Sequence, residues 1–79
     1  MSKKNSKNLI CPPFENNSEV ICIRNSFECH IDGGAGICNC TEGTEYIVEY
    51  CIWHSIHNKW LVCITGEFHT ADDFNRIEN

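Results

Sequence analysis

Cysteine is the residue type whose arrangement in this chain could do chemistry. Seven thiols fall at positions 11, 22, 29, 38, 40, 51 and 63, with histidines at 30, 54, 57 and 69. Thiolates and imidazoles are the usual ligands of structural zinc, which needs four donors at tetrahedral corners, commonly delivered as two pairs. Here the pairs would come from strands lying side by side, Cys22 with Cys29 and Cys51 with Cys63, and from Cys38-x-Cys40; no Cys-x-x-Cys occurs. Facing cysteines on adjacent strands have Cα atoms roughly 4.5–5.5 Å apart, which suits two ligands of one metal or one disulfide equally well. Cys22, Cys29, Cys38, Cys40, Cys51 and Cys63 are therefore candidate zinc ligands and, with the same standing, candidate disulfide partners. An odd count leaves one thiol over. Cys11, just before Pro12 and Pro13, is the expected one, free to join another subunit.

Nothing else in the chain concentrates catalytic groups. A Cys–His nucleophile pair can be composed from Cys51 or Cys63 with His54, His57 or His69, but a cysteine-rich chain supplies such pairs by chance. There is no phosphate-binding loop and no Ser-centred elbow, and Asp72-Asp73 reads better as the first turn of a helix. The expectation is a non-enzyme. Trp53 and His57, with Cys11, are the residues expected to contact a partner. Cys22, Cys29, Cys38, Cys40 and Cys51 faintly resemble an epidermal-growth-factor module. Cys38, Cys40, Cys51 and His54 faintly resemble the ligand set of the CDGSH iron–sulfur proteins. The last cysteine interval departs from the first pattern and the Cys-Asp-Gly-Ser-His core is missing from the second, so neither resemblance brings a function with it.

The elements that would position these thiols are strands. Residues 19–24 and 27–32 read as a hairpin turning at Asn25-Ser26, with Cys22 facing Cys29 and Val20 facing Ile31. Residues 46–54 and 60–68 are rich in β-branched and aromatic types and read as a second hairpin over a five-residue loop, 55–59. In that register Cys51 faces Cys63 and Trp53 faces Leu61. One face then holds Tyr46, Val48, Tyr50, Ile52, Trp60, Val62, Ile64 and Phe68, with Val48, Tyr50, Ile52, Val62 and Ile64 expected in the core. Thr70 can cap a short C-terminal helix over residues 71–78, with Ala71, Phe74 and Ile77 as its apolar stripe. The fold class expected is thus a small β-rich, antiparallel, cysteine-stabilised domain with a short C-terminal helix.

At 79 residues the chain has room for one domain, 9–79, behind a polar arm at 1–8 that reads as disordered. A core this small stabilises a fold only marginally, so thiol cross-links or a metal would matter. The arm carries Lys3, Lys4 and Lys7, leaving three basic against eleven acidic residues beyond it, a charge near −8 against −5 for the whole chain. Such a surface repels phosphate backbones, so no nucleic acid is expected, and no apolar run is long enough for a membrane helix. No secretory signal is evident, which points to the cytoplasm, or to the extracellular space if the cysteines are paired. Taken together, these features point to a small acidic protein-interaction module clamped by zinc or disulfides, an inhibitor or regulator of a partner. The alternatives are a subunit that assembles with itself through disulfides and a secreted disulfide-stapled effector.

Overall fold

The computed structural model describes residues 11–77; the arm at 1–8 and the first two residues of the expected domain lie outside them. Eight short strands follow one another: β1 (Ser18–Cys22), β2 (Ser26–Cys29), β3 (Ala35–Cys40), β4 (Glu45–Val48), β5 (Tyr50–His54), β6 (Lys59–Ile64), β7 (Glu67–Thr70) and β8 (Phe74–Arg76). They form a three-stranded sheet in the order β4-β1-β8 and a five-stranded sheet in the order β3-β2-β7-β6-β5. Every neighbouring pair is antiparallel. The β-rich, antiparallel class expected from the composition is what the chain adopts.

The core lies between the two sheets. Val20 and Cys22 from β1, Val48 from β4 and Phe74 from β8 meet Cys40 from β3 and Val62 and Ile64 from β6, with Phe14 and Ala71 closing the cluster. β1 shows why it sits centrally in its sheet. Its inward residues Val20 and Cys22 are buried, while Glu19 is exposed and Ile21, between them, is half-buried, the two-residue period of a half-buried strand.

The long apolar runs do not continue as single strands. Residues 46–54 divide at Glu49, whose amide donates to the Cys63 carbonyl at 2.8 Å while β4 goes to one sheet and β5 to the other. Residues 60–68 divide at Thr65-Gly66, where φ values of 48° and 81° fold β6 back onto β7 in a tight two-residue hairpin with Ile64 opposite Glu67. That left-handed pair matches the twist of adjoining strands.

Three expected features need correction. β1 does not pair with β2. A two-residue hairpin needs a positive φ at a central position, and neither Asn25 nor Ser26 has one. Instead Arg24 is drawn to Asp73 at 2.9 Å, and β1 is flanked by β4 and β8, so Cys22 lies opposite Phe74 rather than Cys29. In the second hairpin the register moves by one residue: Cys51 lies opposite Val62, Tyr50 opposite Cys63 and Trp53 opposite Trp60. The loop has four residues, not five, because Asn58 turns left-handed at φ 54° and Lys59 enters β6 beside His54. A shift of one exchanges the two faces of a strand. Val48, Val62 and Ile64 are buried as expected, but Tyr50 is exposed and Ile52 half-buried.

The C-terminal helix is the third. Residues 71–73 make one 3₁₀ turn and the chain then extends as β8. Thr70 makes no cap; its hydroxyl oxygen accepts a hydrogen bond from Lys59 Nζ at 2.9 Å. Edge pairing with β1 satisfies the backbone of residues 74–76 better than a marginal two-turn helix could.

Candidate functional site

The cysteines are dispersed through this framework, and all seven are free thiols. Cys22 and Cys40 come from different sheets into the same core cluster. Cys29 and Cys63 are buried, Cys51 is half-buried, and Cys11 and Cys38 are exposed. Cys22 and Cys29 sit on strands of separate sheets, and Cys51 and Cys63 point to opposite faces of β5–β6. Neither expected cross-strand pair is formed. Among the described residues no three of His, Cys, Asp and Glu are grouped as the ligands of a metal centre would be.

Burial favours the protonated form of four thiols, Cys22, Cys40, Cys51 and Cys63. Burial pushes the Cys40 thiol up to about 11 from its ordinary value of 9.0, with the proximity of Cys22 adding to it. Burial likewise raises Cys22, Cys51 and Cys63, and backbone hydrogen bonding from Arg24 only partly offsets this for Cys22. Protonated thiols are poor nucleophiles and poor ligands. On the outward face of β5–β6, Cys63 Sγ donates to a Glu49 carboxylate oxygen at 3.4 Å. A hydrogen bond with Cys63 raises the Tyr50 hydroxyl.

Two histidine clusters bring together side chains that the sequence alone does not join. His69 is completely buried on β7 and shares a 3.1 Å hydrogen bond through Nδ1 with the equally buried Ser26 hydroxyl on β2. Its Nε2 has no hydrogen-bond partner, and the nearest carboxylate oxygen, from Glu67, stands 3.6 Å away. Ser, His and Glu in a row suggest a triad, but with Ser26 and His69 both at 0% exposure no substrate reaches them. They tie β2 to β7 through the core. The available signal was the placement of His69 in an apolar run, where an inward histidine is to be expected; Ser26 reads as a turn residue.

The second cluster fastens two loops. His54, 3% exposed, sends Nε2 to the carbonyls of His30 and Ile31 at 3.2 and 3.0 Å. The His57 amide donates to His54 Nδ1 at 3.2 Å, which leaves Nε2 as the proton-bearing nitrogen. The two rings stack at 4.9 Å, and His57 Nε2 reaches the Gly33 carbonyl at 3.1 Å. His57 is therefore an anchor of the β5–β6 loop on the β2–β3 loop as well as an exposed residue. Trp53 packs edge-on against Trp60 at 5.6 Å and remains 36% exposed.

An open cleft of about 410 Å³ runs beside these loops, lined by Phe27, Glu28, Cys29, His57, Lys59 and Thr70 among others. Its polar groups are largely committed within the domain. Lys59 bonds Thr70, His57 bonds Gly33, and Asp73 at its margin pairs with Arg24. What the surface offers freely is apolar: Phe27 is 58% exposed, Ile37 71%, Ile56 59% and Ile31 53%. No protein family, curated protein or solved structure matches this chain.

Proposed function

We propose that the chain is a small, acidic, non-enzymatic module that binds another protein. The observation that carries this reading is the exposure of large apolar side chains on strands, Phe27 on β2 and Ile37 on β3 above all. A chain with so little core to spare gains nothing in its own stability from Phe27 and Ile37 left in water. Charge supports the same reading. Between Arg24 and Lys59 there is no Lys or Arg, while Glu28, Asp32, Glu42, Glu45 and Glu49 all lie there, so the natural partner surface is basic.

Photo-crosslinking tests it. A photoreactive residue in place of Ile37 should yield one discrete adduct with a different protein, and the purified adduct partner should bind the wild-type chain more tightly than the Phe27→Ser chain. Failure to form an adduct at position 37, or equal binding by Phe27→Ser, overturns it. An adduct of twice the chain mass would instead favour self-assembly, a second reading that rests on the exposed thiols of Cys11 and Cys38.

A further inference from the structure

We propose that β3 is a docking edge that accepts one added strand from a basic, extended segment of a partner protein. This rests on the binding reading above and names its surface and the class of partner. Among the described residues β3 is an outermost strand of the five-stranded sheet and pairs only with β2. Among the described residues no backbone hydrogen bond reaches it from any other element. Its six residues, Ala-Gly-Ile-Cys-Asn-Cys, contain no charge and no proline. Its pairing with β2 is irregular at two places, between Ser26 and Phe27 and between Phe27 and Cys29, but no lysine or proline interrupts it, and a row of free N–H and C=O groups recruits another strand.

The other three edges differ. β4 begins with Glu45, and β8 is three residues long and ends in Arg76. β5 is uncharged apart from its terminal His54, but its rings are already used inside the domain, Tyr50 against Phe68 and Trp53 against Trp60. On β3, Ile37 is 71% exposed. Gly36 holds the strand tightly against β2: a Cβ there would stand 2.9 Å from Glu28 Cβ. The sheet end is therefore built, with its outer row left open.

Charge selects the occupant. Asp32 precedes β3 and Glu42 follows it, Glu28 lies beside it on β2, and Glu67 is bonded by Asn39. No Lys or Arg lies on β2, β3 or the loop between them; His30 there sits 3.5 Å from Glu28. A second copy would bring these carboxylates together with their equals, whereas a strand with lysines or arginines at its ends meets opposite charge. Main-chain bonds would supply affinity, and an apolar residue of the added strand would lie against Ile37.

The test uses a nine-residue synthetic peptide alternating valine and threonine, with lysine at each end. Binding is followed by calorimetry and by amide hydrogen exchange on the full chain. The inference expects exchange to slow within residues 36–40, binding to weaken at least tenfold in Ile37→Lys, and a similar loss when the peptide lysines are replaced by glutamates. Ile37 is exposed enough for that substitution to leave the fold intact, which an unchanged exchange pattern of β6 in the variant verifies. Protection at β5, or undiminished binding by Ile37→Lys, overturns the docking edge but leaves the protein-binding reading standing. No peptide binding at all also overturns it, while the cross-linking experiment at position 37 still decides that broader reading on its own. Concentration-dependent dimerisation of the chain alone, abolished by Ile37→Lys, would overturn it in favour of self-pairing.

Discussion

Burial dictates the state of individual side chains in this domain. Ser26 and His69 are at 0% exposure and hold one hydrogen bond between them, while His69 Nε2 already goes without. Removing the hydroxyl in Ser26→Ala leaves a second buried imidazole nitrogen unpaired, with an expected cost of about 1–3 kcal/mol. For a domain of this size each kcal/mol corresponds to roughly 4–8 °C in melting temperature, so a thermal scan resolves it. Cys40 gives a pH dependence of definite sign. Its folded value, about 11, lies above the ordinary 9.0, so the thiol contributes stability that is fully present below pH 9 and is lost as pH rises towards 11. Melting followed from pH 8 to 11 should fall across that window, and Cys40→Ala should make the fall shallower. An equally steep fall in the variant would place the titrating group elsewhere.

The elements owe their ends to a few residues in unusual backbone conformations. Thr65 is a β-branched residue held at φ 48°, a region such residues rarely enter, and Gly66 beside it lies at 81°. Thr65→Asn, which tolerates that conformation, should raise stability by about 0.5–1 kcal/mol, and Gly66→Ala should lower it by about 1 kcal/mol or more. Denaturant midpoints of the two variants moving in the same direction would show that the turn does not set the β6–β7 hairpin. The loop at residues 55–58 is controlled differently, by the left-handed Asn58 and by His54 gripping both the His57 amide and the carbonyls of residues 30 and 31. Thr-Gly is a weaker turn signal than Asn-Gly, so two strands read as one. Register followed the same rule: a loop one residue shorter than expected was enough to separate Cys51 from Cys63.

For the whole molecule, stability depends on the layer between the sheets and not on apolar content as such. Ile64→Ala, at a buried site contributed by β6, should cost about 2–5 kcal/mol, whereas Ile37→Ala on the free edge should stay within about 0.5 kcal/mol. Comparable losses for both, measured by urea denaturation, would mean that Ile37 is covered in solution. The strong negative balance of residues 11–77 acts at the same scale. Any basic ligand would therefore show a salt-dependent affinity.

The β class, the inward alternation of Val20 and Cys22 and the burial of Val48, Val62 and Ile64 follow from sequence, because β-branched residues at period two have few other ways to bury themselves. The net negative charge is equally a property of composition. Pairing is not. Which strand lies beside β1 depended on β4 and β8, one more than twenty residues away and the other more than fifty, and on Arg24 finding Asp73 across the domain. Local turn chemistry at Asn25-Ser26 carries no information about those partners. The cysteines show the same division. Their number and spacing made cross-strand pairs the natural reading, yet whether two thiols face each other depends on sheet order and on a register of one residue. Those are decided by the collective packing of both sheets, where moving one strand by one position exchanges every inward side chain for an outward one.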